Sequence, residues 1–367
     1  MNLNLFDDDF SPNYGTAPGL TLRAVLDKLG LNQSDLAERT ARPKKTINEI
    51  IQGKAAITPD TALQFERVLG ISASFWLNLE RIYRAAQAKD QERARLIQNL
   101  DWLNSFPIKE LTSRGWIRPC QDRVELMAEV LAFFGVAVPH AWDDVWTETR
   151  KATALRQQQT HGVDFGAVAV WLRKGEIEGR QLKCETFDEQ RFRETLTRLR
   201  QLTTASPGES FREVQEQCAK AGVAVVLIRE LPKIKVFGAA RWLSPEKALI
   251  QLNLYYKRLD QLWFTFFHEA AHVLLHGRRN VFVDFDGASI DRQEAEANKF
   301  AEDRLIPPAA LARFVAQGRF SRFAVTQFAR EIDIDPGIVV GRLQHDKHID
   351  WNQLTNLQRR VDWPMFT

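Results

Sequence analysis

The residues best suited to chemistry in this 367-residue chain are two histidines and a glutamate with the spacing His-Glu-x-x-His. Residues four apart share one face of an α-helix, so His268 and His272 can direct their imidazole nitrogens at one ion, as a tetrahedral Zn2+ site requires. Glu269 then lies beside the ion without binding it, where it can accept a proton from water that the metal acidifies. The spacing therefore predicts a hydrolytic metal site on a helix.

The residues around this motif predict that its helix is buried. Residues 262–267 before it and 273–275 after it are strongly apolar, so the helix that follows Asp260 and ends near His276 is apolar nearly all round. Two histidines and a glutamate inside such a helix need polar partners, and a metal ion supplies them. A pair of hydrogen-bonded core histidines is the alternative interpretation.

A third metal ligand has to come from elsewhere in the chain. His276 is eight residues from His268, about 12 Å along a helix axis, which is too far for both to bind one ion. A second helix, predicted over residues 292–305, offers Glu294 and Glu296. Glu294 and Asn298 are four residues apart, so Glu294 could bind the metal while Asn298 orients a ligating histidine, and Glu296 is the reserve choice.

A second group of residues has the charge of a nucleic-acid interface. Between Arg39 and Lys54 there are five basic residues and one acidic residue, a balance of +4, whereas the whole chain carries only +3. Arg42, Lys44 and Lys45 are near the start of a predicted third helix, the end that enters the major groove in helix-turn-helix proteins. A solvated helix face is the alternative explanation of this charge.

The pattern along the chain predicts a mainly α fold with a small β-sheet, an α+β class. A loose lead-in over residues 1–17 precedes a five-helix bundle over 18–88, an aromatic helical connector over 89–150, and a mixed domain over 151–367 with strands at 222–228 and 248–254. The hydrophobic and charged fractions, 44% and 26%, are those of globular proteins. An odd number of cysteines and the lack of an 18-residue apolar run predict a cytoplasmic protein with no membrane partner.

The N-terminal bundle resembles a known family of DNA-binding domains. Residues 31–62 resemble the Xre-type helix-turn-helix, specifically the HigA-like antitoxin group, and Phe75-Trp-Leu-Asn-Leu79 continues the resemblance, which covers about residues 18–88. The turn at residues 40–43 contains no glycine, whereas many members of the family have a glycine there. The resemblance implies a homodimer on a palindromic double-stranded DNA operator. It also implies which side chains meet the DNA, with Gln33 on a phosphate and Lys44, Lys45, Thr46 and Asn48 facing the duplex.

The C-terminal domain resembles a second family. Residues 268–272, 294–301 and Leu305-Ile-Pro307 look like the ImmA/IrrE family of zinc metallo-endopeptidases, and residues 337–345 are also similar, so the resemblance spans about residues 220–350. It implies one Zn2+ per chain with Glu294 as the third ligand. It further implies a protein substrate, typically a repressor or antitoxin cleaved upon stress or phage signals, or this chain itself.

The sequence also allows other interpretations of the predicted zinc site. The chain could be a non-proteolytic HigA-like antitoxin or transcriptional repressor whose zinc is structural or sensory, or a hydrolase of a small substrate. A structural zinc site normally has four protein ligands, and three ligands with an adjacent acid favour catalysis. Tyr255, Tyr256 and His345 could stabilise the oxyanion of a peptide hydrolysis, and the sequence does not decide among them.

Overall fold

The computed structural model of the protein describes residues 15–147, 163–277, 281–285 and 292–366. Contacts divide the chain into two compact units, residues 1–100 and 101–367. Most of the predicted lead-in and the predicted boundary at residue 150 lie outside the described residues. The other predicted boundary, at residue 88, falls inside a long helix, and the division into three domains stays a prediction.

The first unit is the predicted bundle of five helices. Their bounds are α1 Pro18–Leu29, α2 Gln33–Arg39, α3 Lys44–Ile51, α4 Pro59–Leu69 and α5 Ala73–Ile97. Side-chain caps set several starts, since Asn32 accepts hydrogen bonds from the first turn of α2 and Thr58 from that of α4. The apolar faces meet in one core, in which Leu22, Phe65 and Trp76 have no exposed surface.

The second unit contains the other described helices and a four-stranded sheet. In chain order the elements are α6 Ile108–Ser113, α7 Arg123–Phe134, α8 over residues 139–147, α9 Phe165–Gln181, α10 Glu189–Leu199, α11 Pro207–Lys220, β1 Val223–Leu227, β2 Val236–Ser244, β3 Lys247–Leu252, α12 Leu259–Leu275, β4 Phe282–Phe285, α13 Arg292–Leu305, α14 Pro308–Ala316, α15 Arg322–Glu331 and α16 Pro336–His345. The predicted α+β class is confirmed.

The sheet has the strand order β1-β3-β2-β4. β1 and β3 are parallel, whereas β2 runs antiparallel to both β3 and β4. The two strands predicted from the sequence are β1 and β3, and the structure adds β2 and β4. In the register of β2, Gly238 pairs with Leu252 on one side and with Asp284 on the other. The helix α12 packs on β2 and β3 and is flanked by α13 and α16, so it is enclosed as its sequence predicts.

Aromatic residues in the first part of the second unit form a packed cluster. Neighbouring rings among Trp102, Phe106, Phe134, Trp142 and Trp146 have centroids 4.6 to 6.4 Å apart, mostly edge to face. By length and composition the stretch Arg123–Thr147 could cross a membrane, but Gly135 (φ 69°) ends α7 and separates it from α8. Phe134, Trp142 and Trp146 of this stretch are buried in the cluster.

Candidate metal centre and nucleic-acid interface

The His-Glu-x-x-His motif occupies the middle of α12, where the helix is enclosed on every side. Between Leu259 and Val273 most side chains are buried, and His268, Glu269 and His272 are exposed by 2% or less. Glu294 reaches the same place from the first turn of α13 and is also buried. Four ionisable side chains thus share a region from which water is largely excluded.

Three of these side chains bring one ligand atom each to a common point. His268 Nε2 lies 3.0 Å from His272 Nε2 and 3.1 Å from Glu294 Oε2, and His272 Nε2 lies 3.7 Å from the same oxygen. A tetrahedron with bonds of 2.0–2.1 Å to its centre has edges of about 3.3–3.4 Å, so these three separations match three corners of a zinc site. The set His268, His272 and Glu294 could therefore hold a metal ion.

The hydrogen bonds on the far side of each ring direct its Nε2 atom toward the common point. His268 Nδ1 lies 2.9 Å from the side-chain oxygen of Asn298, which can only accept, so Nδ1 carries the proton and Nε2 presents its lone pair. His272 Nδ1 lies 2.8 Å from His276 Nδ1. Asn298 is where the sequence prediction places it, whereas the contact of His276 with His272 was not expected from the sequence.

The charges around the three ligands favour a cation. Burial acts to lower the pKa of His268, but the hydrogen bond and charge of Glu294, together with the charge of Asp284, raise it above its ordinary value. The pKa of His272 is lowered, chiefly by burial and also by the neighbouring histidines, so this ring is held neutral as a metal ligand must be. The site stabilises one positive charge, and a divalent ion would supply it.

Glu296, the reserve ligand, lies outside this set. Its carboxylate is partly exposed, pairs with Arg292 at 2.9 Å and lies 3.5 Å from His276 Nε2. The structure therefore brings Glu294, and not the reserve choice Glu296, to the two histidines. Tyr256 and His345 line a cavity beside the site, while Tyr255 contacts Phe237 and Tyr256.

Glu269 lies beside His268 on the side of α12 that faces the sheet. Its carboxylate lies within 4.8 Å of ligand atoms of His268 and Asp284, the second group of side chains that could share an ion. A Cβ added to Gly238 on β2 would be 2.5 Å from Glu269 Oε1 and 2.8 Å from Glu269 Cγ, so the glycine makes room for this side chain. No signal in the sequence points to Gly238 or Asp284, because both depend on strands that the pattern does not predict.

A cavity of about 450 Å³ opens beside the metal ligands. Thr265, Asp284 and Asn298 form its boundary with the site, and its apolar wall includes Phe264 and Ile338. Four charged groups in the wall are paired within it: Arg258 bonds to Asp260 at 2.5 Å and Arg342 bonds to Glu302 at 3.2 Å. The cavity therefore offers mostly apolar surface and little unbalanced charge.

The predicted DNA-reading residues lie on and around α3 of the first unit. Ile47, Ile50 and Ile51 face the core, and the opposite side carries Lys44 and Lys45, which are exposed. The remaining predicted DNA-contact residues are all half-buried: Gln33, Arg42, Thr46 and Asn48. The Arg42 guanidinium is held by Gln64 of α4, and Asn48 accepts a hydrogen bond from Gln52 at 3.2 Å.

The turn before α3 has the conformation that glycine favours although it contains none. Ala41 has a φ of 53°, in the left-handed region, which costs an alanine about 1 kcal/mol relative to glycine. Thr40 Oγ1 donates a 2.7 Å hydrogen bond to the Leu36 carbonyl and steadies the end of α2. The turn between α2 and α3 therefore contains a slightly strained alanine where many family members have glycine.

Comparisons with known proteins match the two ends of the chain separately. A family model described as helix-turn-helix matches residues 22–76, and a peptidase-family model described as the IrrE N-terminal-like domain matches residues 224–339. Virulence-associated protein A of Dichelobacter nodosus is 40% identical over 68 residues, which are 18% of this chain and 67% of that protein. The uncharacterized HTH-type transcriptional regulator YddM of Escherichia coli (strain K12) is 32% identical over 72 residues, 20% of this chain and 77% of that protein.

A solved structure also matches the first unit. It is an addiction module antidote protein of a HigA family from Coxiella burnetii, 29% identical, with 23% of this chain and 92% of that chain covered and a TM-score of 0.22. Through its N-terminal domain this chain belongs to the helix-turn-helix family, and it carries an IrrE N-terminal-like domain of a peptidase family toward its C-terminal end.

Proposed function

We propose that this protein is a DNA-binding transcriptional regulator whose C-terminal domain is a zinc-dependent endopeptidase. Its substrate is a repressor or antitoxin, or its own chain, in a stress, toxin–antitoxin or phage-defence circuit. The observation that carries the proposal is the convergence of His268, His272 and Glu294 at tetrahedral distances, with the carboxylate of Glu269 beside them. A DNA-reading protein with free cysteines also fits the cytoplasm.

Zinc is the ion that the ligand set fits best. Two neutral imidazoles and one carboxylate are typical ligands of catalytic zinc, and magnesium or calcium sites are built mostly from oxygen atoms. When bound, Zn2+ supplies a Lewis acid that polarises a substrate carbonyl and lowers the pKa of water. His268, His272 and Glu294 would hold the ion, and the three-membered set leaves a fourth position for water or substrate.

Glu269 is the residue that moves protons in this proposal. Its carboxylate takes a proton from the attacking water as the water oxygen bonds to the peptide carbonyl carbon. It then delivers that proton to the leaving nitrogen as the carbon–nitrogen bond breaks, so that water is divided between the two products. Burial of Glu269 excludes competing bulk water and strengthens its electrostatic interaction with the reacting atoms.

The cavity supports a peptide as the substrate rather than a small charged molecule. Its volume of about 450 Å³ exceeds that of any single side chain, and four of its charged wall residues pair with one another. A peptide that places an apolar side chain between Phe264 and Ile338 would bring its backbone to Thr265 and Asn298, next to the metal ligands. Tyr256 and His345 remain candidates for the donor that stabilises the oxyanion, since both line this cavity.

The bundle supports the DNA-binding half of the proposal. Lys44 and Lys45 project from the exposed side of α3 while its three isoleucines anchor the opposite side, which is how a recognition helix is presented to the major groove. A homodimer would bring two such helices to the half-sites of a palindromic operator. Gln33, Arg42, Thr46 and Asn48 would complete the contacts to phosphates and base edges.

Zinc binding by the three ligands is the first test. We expect the full chain to bind one Zn2+, and Glu294→Gln or His272→Ala to weaken binding by about 100-fold or more, because each removes a direct ligand. Chelator competition measures the affinity and elemental analysis the stoichiometry. Asp303→Asn, which alters an exposed carboxylate of the same helix, is the matched control. Native zinc affinity in Glu294→Gln would remove Glu294 from the ligand set.

The peptidase itself is tested by Glu269→Gln. This change keeps the size of the side chain but removes the base, so zinc should stay bound while cleavage falls by about 100-fold to 10,000-fold. Cells that produce the native chain or the variant can be compared by labelling all protein N-termini, which detects cleavage of this chain and of other proteins together. Identical sets of N-termini would show that the site is not a peptidase and would favour the alternative, a repressor with structural or sensory zinc.

Gly238 provides an independent test of the role of Glu269. In Gly238→Ala the new Cβ would collide with Glu269 and with Thr265 Cγ2, 2.7 Å away, so the carboxylate must move while the metal ligands stay in place. We expect unchanged zinc stoichiometry and a loss of cleavage of about 10-fold to 100-fold. Gly277→Ala is the control, because its added Cβ meets no atom of the described residues within 4 Å. Full activity in Gly238→Ala would argue against the position of Glu269 as the base.

The DNA interface is tested through its salt dependence. Replacing Lys44 and Lys45 by alanine should weaken binding to every sequence and reduce the slope of log K against log salt by about 2 per protomer, since two phosphate contacts are lost. The probes are the DNA upstream of its own coding sequence and a duplex of unrelated sequence. The double variant Lys28→Ala and Lys89→Ala removes the same charge elsewhere in the first unit. Equal slopes for the two double variants would show that α3 is not the recognition helix.

A further inference from the structure

The third histidine of the cluster, His276, contacts the metal site without belonging to it. It follows the last residue of α12, where its backbone leaves the helix (φ −115°, ψ 161°), and its side chain is 3% exposed. Its ring folds back on His272, with ring centroids 4.8 Å apart and the two Nδ1 atoms 2.8 Å apart. Phe282 of β4 stacks on the His272 ring at 4.3 Å and holds both rings in this arrangement.

The distance between the two Nδ1 atoms means that they share one proton. Two nitrogens at 2.8 Å form a hydrogen bond only if one donates and the other accepts. His272 must present the lone pair of Nε2 to a cation, because this atom faces His268 Nε2 and Glu294 Oε2. The proton of His272 is therefore on Nδ1, and His276 accepts it through its own Nδ1.

The same reasoning places the proton of His276 on its other nitrogen. With Nδ1 accepting, a neutral His276 carries its proton on Nε2, and this atom lies 3.5 Å from Glu296 Oε2. Arg292 holds the Glu296 carboxylate from the other side at 2.9 Å. Beyond His276 lie the Glu296 carboxylate, which is near Nε2 but makes no hydrogen bond to it, and then the Arg292 guanidinium.

We propose that His276 is a positioning residue that fixes the tautomer and the ring orientation of the ligand His272. His276 accepts a hydrogen bond from Nδ1 of His272, as the oxygen of Asn298 accepts one from Nδ1 of His268. Each zinc-binding imidazole therefore has one hydrogen-bond acceptor on the side away from the metal. The inference rests on the proposed zinc site. It accounts for the third histidine of the cluster, which is too far from His268 to bind the same ion.

Two substitutions of similar bulk separate this role from simple packing. His276→Asn keeps an acceptor at the place of Nδ1, because the side-chain oxygen of asparagine is the same number of bonds from the backbone. His276→Leu fills the space without an acceptor. We expect the zinc affinity of the full chain, measured by chelator competition, to stay within about threefold in His276→Asn and to fall by about 10-fold to 100-fold in His276→Leu.

The visible spectrum of the cobalt-substituted chain gives a second readout. The band positions and intensity report the geometry of the ligands, so His276→Asn should keep the native spectrum and His276→Leu should change it. If His276→Leu does not fold, His276→Gln takes its place, because it is polar and of similar size but carries its amide one carbon too far to accept from His272. It should weaken zinc binding by the same 10-fold to 100-fold.

The outcomes that overturn the inference differ from those that overturn the zinc site. Native zinc affinity and a native cobalt spectrum in His276→Leu would show that His276 only fills space, as would an equal loss in His276→Asn and His276→Leu. In both cases His272→Ala would still abolish tight binding and the proposed zinc site would stand. A native chain that binds no zinc would overturn the site and this inference together.

Discussion

The second unit is organised around three lone pairs that point at one another in a buried place. Two imidazole nitrogens and a carboxylate oxygen lie 3.0 to 3.7 Å apart on side chains that are almost fully buried. Such atoms repel one another unless a proton or a metal ion lies between them, and each buried charge costs several kcal/mol if it is left uncompensated. The pKa of His268 is raised for this reason, because a proton on its ring can lie between two of these atoms as a metal ion would.

The surrounding elements hold α12 and α13 where this convergence is possible. The sheet supports α12 through β2 and β3, and Gly238 lets the strand approach the helix closely at Glu269. Asn298 and His276 fix the far sides of the two rings, and Phe282 of the edge strand covers His272. Because both ligand rings are held by atoms outside the ligand set, removal of a metal should change the orientation of these two side chains little.

The sequence predicts the features of the metal site that depend on helical periodicity. The spacing of four places His268 and His272 on one face, and the same spacing pairs Glu294 with Asn298, as the structure has them. It does not predict Asp284 or Gly238, because β2 and β4 lack a regular alternation of apolar and polar residues. The contact of His276 with His272 was missed for another reason. The distance along the helix axis excludes His276 as a ligand, but it says nothing about a side chain that folds back where the helix ends.

In the bundle, too, the sequence predicts the helices but not the conformation of one turn residue. Caps and apolar spacing predict all five helices, including the basic face of α3. The left-handed conformation of Ala41 is not predictable from its residue type, since alanine rarely adopts it. That conformation is imposed by the packing of α2 against α3 around Leu36 and Ile47, which have no exposed surface.

The two domains select their targets by different means, and their fusion can add the selectivity of the DNA-binding domain to that of the cavity. The cavity beside the metal site has apolar walls and internally paired charges, so it can distinguish side chains mainly by size, which is worth only about 1–3 kcal/mol per methylene. Within the proposed function, a peptidase of that selectivity would need another means of choosing one regulator among many proteins. A DNA-binding domain on the same chain provides it, because two proteins bound to one operator meet at an effective concentration in the millimolar range. The selectivity of cleavage would then depend on the basic face of α3 as much as on the walls of the cavity.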